Sequence, residues 1–97
     1  MLTHVVLLKF TSDTSNDHLN DLVQSLRGLP ALIPEIRSYT VSRDAGLAQG
    51  NADVSVIAHF DDAGGWQTYT DHPDHRRIIT EQILPRLESR SATQFVS

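Results

Sequence analysis

The segment from Tyr69 to His75 reads Tyr-Thr-Asp-His-Pro-Asp-His and is the densest group of proton-transferring side chains in the chain. An imidazole with a pKa near 6.5 can accept a proton at neutral pH. Removing a proton from the carbon next to a carbonyl also needs a donor for the enolate oxygen that develops. His75 is therefore a candidate base and Tyr69 a candidate donor. The alternative is an ordinary polar turn, in which His75 bonds only to a backbone carbonyl.

Pro73 predicts the local geometry of this segment. The residue before a proline is pushed out of the helical region, so the helix that carries Tyr69 should end at about Tyr69 or Thr70. Asp74 can then cap a new helix that carries His75. The side chains would lie at a corner between two helices, where irregular backbone can direct them to a common point.

The other histidines extend the set of candidates. His4 lies on an otherwise apolar strand face. It is either a hydrogen-bonded core residue or a contact for a ligand or for His75. His72 is three residues from His75, but a zinc site needs three or four ligands and the chain has no cysteine. We therefore expect neither a metal nor a cofactor, and His72 should pack beside Pro73 or touch a ligand. His18 is expected in solvent on a helix.

Substrate contacts are expected between a strand and the helices that cover it. Trp66 either packs as core beneath its helix or stacks on a ligand. The predicted substrate-binding residues are Val6, Val23, Leu26, Trp66 and His72.

Length and composition limit the class of protein. The 97 residues predict one domain, residues 1–97, with a thin core. A net charge of -4 argues against binding to nucleic acid and to an anionic membrane surface. The chain shows no leader pattern, no cysteine and no apolar run near the ~20 residues that span a bilayer. These features predict a cytoplasmic protein.

Hydrophobic periodicity predicts seven elements. Strands are expected at residues 3–10, 36–43, 53–60 and 92–96. Helices are expected from about 17 to 27, from about 62 to 70, and from about 75 to 88, the last with a kink at Pro85 or a split near Leu84. The order βαββααβ predicts a ferredoxin-like α+β fold with an antiparallel four-stranded sheet, in which the first and third strands are central.

The first strand predicts a partner for the sheet. It is apolar on both faces, as expected of a strand that is covered on both sides. Val5, Leu7 and Ile57 would face away from the helices and form an apolar patch on a monomer. We therefore expect a two-fold homodimer that packs sheet to sheet, with His59 at its interface.

Three pieces of the chain resemble the stress-responsive A/B barrel (Dabb) family. They are His-Val-Val-Leu-Leu-Lys-Phe at 4–10, Ala-His-Phe-Asp at 58–61, and Tyr69-x-x-His72-Pro73-x-His75. The resemblance covers essentially the whole chain, and it implies a ferredoxin-like subunit that dimerises into an α/β barrel. Some plant members resemble polyketide cyclases, which close a poly-β-ketone by aldol chemistry without a cofactor. That likeness implies His75 as base, assisted by Tyr69 and His4.

Three functions remain open on these residues. The first is a homodimer that binds a small molecule without catalysis. The second is a cofactor-independent, polyketide cyclase-like enzyme for a small, apolar, carbonyl-bearing ligand. The third and weakest is a monooxygenase on the same barrel. The first two functions can be distinguished by whether His4, Tyr69 and His75 face one cavity.

Overall fold

The computed structural model describes residues 1–97 as an antiparallel sheet with helices on one face. The strands are β1 (Leu2–Phe10), β2 (Ser38–Arg43), β3 (Val54–Phe60) and β4 (Leu87–Val96), in the spatial order β2-β3-β1-β4. The helices are α1 (Asn16–Arg27), α2 (Ala63–Asp71) and α3 (Pro73–Ile78), with short turns at Leu29–Ala31, Ile79–Ile83 and Leu84–Arg86. The predicted ferredoxin-like α+β topology is confirmed, and β1 and β3 are central.

The core lies between α1 and the helix-facing side of the sheet. Ser15 caps α1, because its hydroxyl accepts a hydrogen bond of 3.0 Å from the backbone N–H of His18. The buried face of α1 consists of Leu19, Leu22, Val23 and Leu26. It packs against alternate side chains of the two central strands, which are Val6, Leu8, Phe10, Val54, Val56, Ala58 and Phe60. None of the helices is both long enough and apolar enough to cross a bilayer.

The start of α3 differs from the prediction, because Asp74 is not its cap. The N-cap is His72, whose Nδ1 accepts a hydrogen bond from the backbone N–H of Asp74 at 3.2 Å. Its extended backbone is the conformation that a following proline imposes. Pro73 then fills the first helical position, where a missing N–H costs nothing.

The break that Pro85 predicts in the third helix is confirmed, but the predicted extent of this helix to residue 88 is wrong. Instead of running to residue 88, α3 passes into a π-helical turn (Ile79–Ile83) and a 3₁₀ turn (Leu84–Arg86). Pro85 stops the helix, because it has no N–H to donate and its ring clashes with the preceding turn. The strand β4 therefore begins at Leu87 rather than at residue 92, and it pairs with the whole of β1.

His18 does not lie free in solvent, in contrast to the prediction. Its Nε2 lies 2.8 Å from the carbonyl oxygen of Gln82, and its ring packs edge-on against Phe10. A carbonyl oxygen only accepts, so the Nε2–H donates. The bond links α1 to the π-helical turn that follows α3.

The sheet face away from the helices carries an exposed apolar group. Leu7, Ile57 and Phe95 lie on three neighbouring strands of this face and are 43%, 37% and 48% exposed. His59 lies on the same face, where its Nδ1 bonds to the hydroxyl of Ser38. The predicted apolar patch is therefore present on the isolated chain.

Candidate functional site

An apolar cavity of about 160 Å³ lies between the helices and the sheet, and the three predicted catalytic residues His4, Tyr69 and His75 all line it. A larger depression of about 370 Å³ near Asp44 and Asn51 contains no histidine or tyrosine, so it lacks the predicted proton-transfer chemistry. The smaller cavity is therefore the candidate site.

The size of the cavity limits its ligand. A cavity of about 150 Å³ holds benzene, whereas pockets for drug-sized ligands are about 300–1,000 Å³. Ten of the fourteen lining residues are hydrophobic. The cavity therefore suits a small, largely apolar molecule, and a longer one would extend through the mouth.

The predicted substrate-binding residues divide into two groups. Val6, Leu26 and Trp66 line the cavity. Val23 does not, because it is packed in the core beside other α1 residues. His72 does not either, because its ring is used to cap α3.

His75 carries a free nitrogen lone pair. It lies in α3, and its Nδ1 lies 3.3 Å from the carbonyl oxygen of Thr70. A carbonyl only accepts, so Nδ1 carries the proton and Nε2 of the neutral ring is an acceptor. Burial lowers the pKa of His75 below its ordinary value of 6.5, although the bond to Thr70 opposes this shift. His75 is therefore neutral at pH 7 and has the protonation state of a general base.

His4 has the opposite arrangement. Its Nδ1 lies 2.8 Å from Nε2 of Gln94 on the neighbouring strand β4. A side-chain amide nitrogen only donates, so Nδ1 accepts and the proton of neutral His4 sits on Nε2. Burial, followed by the positive charge of Arg90, lowers the pKa of His4 to about 4. His4 thus stays neutral and offers an N–H donor.

Tyr69 supports His75 through its ring. The two ring centroids lie 4.1 Å apart with 33° between their planes, which is a tilted stack. The Tyr69 hydroxyl lies 2.8 Å from the hydroxyl of Tyr39. Burial raises the pKa of Tyr69 to about 12 and also raises that of Tyr39, so both phenols stay neutral.

Trp66 contributes an unpaired donor. It stands one helical turn before Tyr69 and lines the same cavity. Its ring packs edge-on against the ring of His4, with 6.2 Å between the two ring centroids. Its buried Nε1 has no hydrogen-bond partner. An indole N–H can only donate, and a buried donor left unpaired costs about 1–3 kcal/mol.

Arg90 was missed by the sequence analysis. It lies on β4 opposite Leu8 of β1, and its side chain lines the cavity. The predicted strand began at residue 92, so Arg90 fell in the link before it. A predicted strand that began a few residues earlier would have placed Arg90 on the same face as Gln94, because the two are an even number of positions apart.

The π-helical turn shapes one wall of the cavity. Ile79 and Ile83 from this turn both line it. Such turns are rare and are found frequently at functional sites. No group of three or more His, Cys, Asp or Glu side chains is close enough together to hold a metal ion.

Comparison with known proteins gives one family match. The family model described as Stress responsive A/B Barrel Domain (Dabb) matches residues 2–97. A stress-response A/B barrel domain-containing protein of Arabidopsis thaliana is 21% identical over 98 residues, which cover 100% of this chain. The match covers 37% of the plant protein, so the chain spans little more than a third of its length.

Solved structures share the fold. A dimeric ferredoxin-like protein of unknown function from Thermobifida fusca YX is 38% identical, with a TM-score of 0.90 over 99% of this chain and 90% of that one. A hydroxynitrile lyase from Passiflora edulis has a TM-score of 0.84 over 99% of this chain and 92% of that one, but only 14% identity. At that identity the likeness concerns the fold alone.

Proposed function

Because this chain belongs to the stress-responsive A/B barrel domain (Dabb) family, we propose that it is a homodimer that binds a small carbonyl compound and transfers a proton at the adjacent carbon. The observation that carries this proposal is the complementary protonation of two imidazoles in one apolar cavity. His75 offers a lone pair and His4 offers an N–H. A base and a donor on neutral rings are what enolisation requires, and no cofactor enters the step.

The proposed step is balanced within the cavity. Nε2 of His75 takes a proton from the carbon next to the carbonyl, and the C–H electron pair becomes the C=C bond of an enolate. The negative charge moves to the carbonyl oxygen, which accepts a hydrogen bond from Nε2–H of His4. His75 then returns its proton to carbon. Alternatively, the enolate carbon attacks a second carbonyl in an aldol step, the C=O electron pair of that carbonyl moves to its oxygen, and the resulting alkoxide takes the proton from His75.

Tyr69 acts in this proposal chiefly as a support. Its ring stacks on His75 and limits the orientations of the imidazole. Its hydroxyl shares a hydrogen bond with Tyr39 in which either oxygen can be the donor, whereas the Nε2–H of His4 has no partner within the protein. We therefore assign the donor role to His4.

A polyketide cyclase-like activity is the second candidate, because aldol closure uses the same base and donor. The cavity volume of about 160 Å³ holds only a few carbon units. A linear poly-β-ketone would place its reacting end beside His75 and extend its remainder past the exposed Leu84 at the mouth.

The homodimer is proposed on the exposed sheet face. Leu7, Ile57 and Phe95 form an apolar group there that a second copy would remove from water. The 38% identical protein from Thermobifida fusca is described as dimeric.

Hydrogen–deuterium exchange at carbon tests the proposed chemistry. Cyclopentanone and 2-oxobutanoate would be incubated in D₂O with the protein, and loss of the α-proton signal followed by ¹H NMR. We expect the wild type to accelerate exchange and His75→Asn to reduce the enzymatic rate by about 10²- to 10⁴-fold.

Matched variants decide the interpretation. His59→Asn changes a histidine on the opposite sheet face, so it should retain the wild-type exchange rate. Equal rates for wild type and His75→Asn would exclude His75 as the base. Binding of the probes without any acceleration would leave a non-catalytic binding protein.

A further inference from the structure

Arg90 is a cation without a partner in the protein. Among the arginines only Arg76 and Arg90 form neither an ion pair nor a hydrogen bond. Arg76 is exposed on α3 outside the cavity, whereas Arg90 lines the cavity. No aspartate or glutamate lines it. The positive charge of Arg90 is therefore available to something that enters.

The cavity has one charged end. Leu84 and Arg90 are exposed and line it from the 3₁₀ turn and from β4, so together they mark its mouth. Leu26 and His4 are almost completely buried and mark its floor. A ligand that fits this polarity has a carbonyl and an apolar body inside and a negative group at the entrance.

We infer that the natural ligand is a small oxo acid, whose carboxylate binds Arg90 at the mouth while its carbonyl lies between His4 and His75. This inference rests on the proposed proton-transfer site and names its substrate class. A guanidinium matches a carboxylate with two parallel N–H···O bonds. Arg90 is the only permanently charged side chain among the lining residues, so a single negative charge is matched better than the double charge of a phosphate.

The unpaired N–H of His4 supports the same substrate class. Its Nε2–H has no partner within the protein, and His4 lines the same cavity as Arg90. These two residues give the cavity two donor groups that the protein leaves unpaired. An oxo acid supplies oxygens to both groups, and a hydrocarbon ligand would supply none.

Pairs of acid and amide test this inference. The probes are 2-oxobutanoate, 3-oxobutanoate and 4-oxopentanoate, each against its carboxamide, which has almost the same shape but no charge. Dissociation constants would be measured by calorimetry at low and high salt. We expect at least one acid to bind about tenfold or more tighter than its amide, with the difference shrinking as salt rises.

Substitutions assign the preference to one residue. Arg90→Gln should reduce the affinity for the acid to that for its amide, and Arg90→Lys should retain part of the preference. Arg76→Gln removes the same charge outside the cavity and should leave the preference unchanged. Equal affinity for acids and amides in the wild type would overturn the inference, as would a preference that survives Arg90→Gln or a lack of binding by all probes.

The exchange assay separates this inference from the proposed function. If ketones and amides exchange their α-protons through His75 as well as the acids do, the chemistry stands and the oxo-acid preference fails. If the acids bind through Arg90 without exchange, the ligand class stands and catalysis fails.

Discussion

Gln94 Nε2 lies 2.8 Å from His4 Nδ1, and the two residues are 90 positions apart in the sequence. The bond joins the edge strand β4 to the central strand β1, where the two residues are directly paired. It determines which nitrogen of His4 holds the proton, and hence whether His4 can donate to an enolate. A residue outside the proposed catalytic trio thus sets the tautomer of one of its members.

Gln94→Glu should move the proton of neutral His4 from Nε2 to Nδ1. A carboxylate can only accept, so it would draw the proton of His4 to Nδ1 and favour the charged ring. We expect the pKa of His4 to rise from about 4 by at least one unit. We also expect exchange activity at neutral pH to fall by about tenfold or more. The pKa would be measured by ¹⁵N NMR titration of the histidine rings.

Gln94→Met provides the neutral comparison, because it removes the hydrogen bond without adding charge. It should reduce activity less than Gln94→Glu and leave the pKa of His4 low. If both variants have wild-type activity and the same Nε2–H tautomer as the wild type, the bond does not control His4.

Stability should fall as the pH falls below 6.5. The pKa of His4 is lowered to about 4 and that of His75 is also lowered, so the unfolded chain binds more protons than the folded one in this range. The free energy of unfolding therefore rises with pH between about 4 and 6.5 and is constant above it as far as these groups are concerned. His4 accounts for at most about 3 kcal/mol of this change.

Urea unfolding at pH 7.5, 5.5 and 4.5 measures this dependence. His4→Asn keeps an acceptor for Gln94 but cannot titrate, so its loss of stability on acidification should be smaller than that of the wild type. Parallel curves for the two proteins would show that burial of His4 is not the cause.

The fold was predictable from the sequence because its patterns are strong. Residues 3–10 form an apolar run too short for a helix, and Leu19, Leu22, Val23 and Leu26 repeat at helical spacing. Each signal reflects burial, which is also what holds the element in place. For the helix after Pro73, the sequence predicted the break at Pro85 but not the π-helical turn before it, because such a turn keeps the helical appearance of the sequence.

The site was predictable only in part. The sequence brings Tyr69 and His75 together through their spacing across a proline, but Arg90 and Gln94 reach the site only by pairing of β4 with β1. Nearly all of β4 is exposed, so its sequence has little apolar alternation. The length of the strand could therefore not be predicted from the sequence. The tautomers of His4 and His75 depend on such distant contacts and could not be predicted either.

The two tyrosines Tyr39 and Tyr69 should be energetically coupled. Replacing either one by phenylalanine leaves the other buried hydroxyl without its partner, at a cost of about 1–3 kcal/mol. The double substitution should cost less than the sum of the two single ones, by about 0.5–1.5 kcal/mol. Chemical unfolding of the four proteins gives the coupling, and additive losses would contradict it.

The same variants test what Tyr69 does in catalysis. Tyr69→Phe keeps the ring that stacks on His75, so we expect the exchange rate to fall by less than about tenfold. Tyr69→Leu removes the stack and should reduce the rate further. Equally large losses in both variants would instead assign the donor role to the hydroxyl, as the sequence analysis proposed.

Ile57→Lys should separate the proposed homodimer into monomers. Ile57 lies on the sheet face away from the helices, directly paired with Val5 of β1 and Thr40 of β2. In a monomer its side chain is 37% exposed, so a lysine there can reach water. In a sheet-to-sheet dimer the same lysine would be buried without a counter-ion, which costs several kcal/mol. Sedimentation velocity at micromolar concentration would measure the mass, and circular dichroism the fold.

Leu47→Lys, at a loop side chain that is 91% exposed, should remain dimeric. Phe95→Ser weakens the same face without adding charge and should raise the dimer dissociation constant, even if Ile57→Lys proves too unstable to measure. A wild-type protein that sediments as a monomer, or an Ile57→Lys variant that stays dimeric, would show that this face is not the interface.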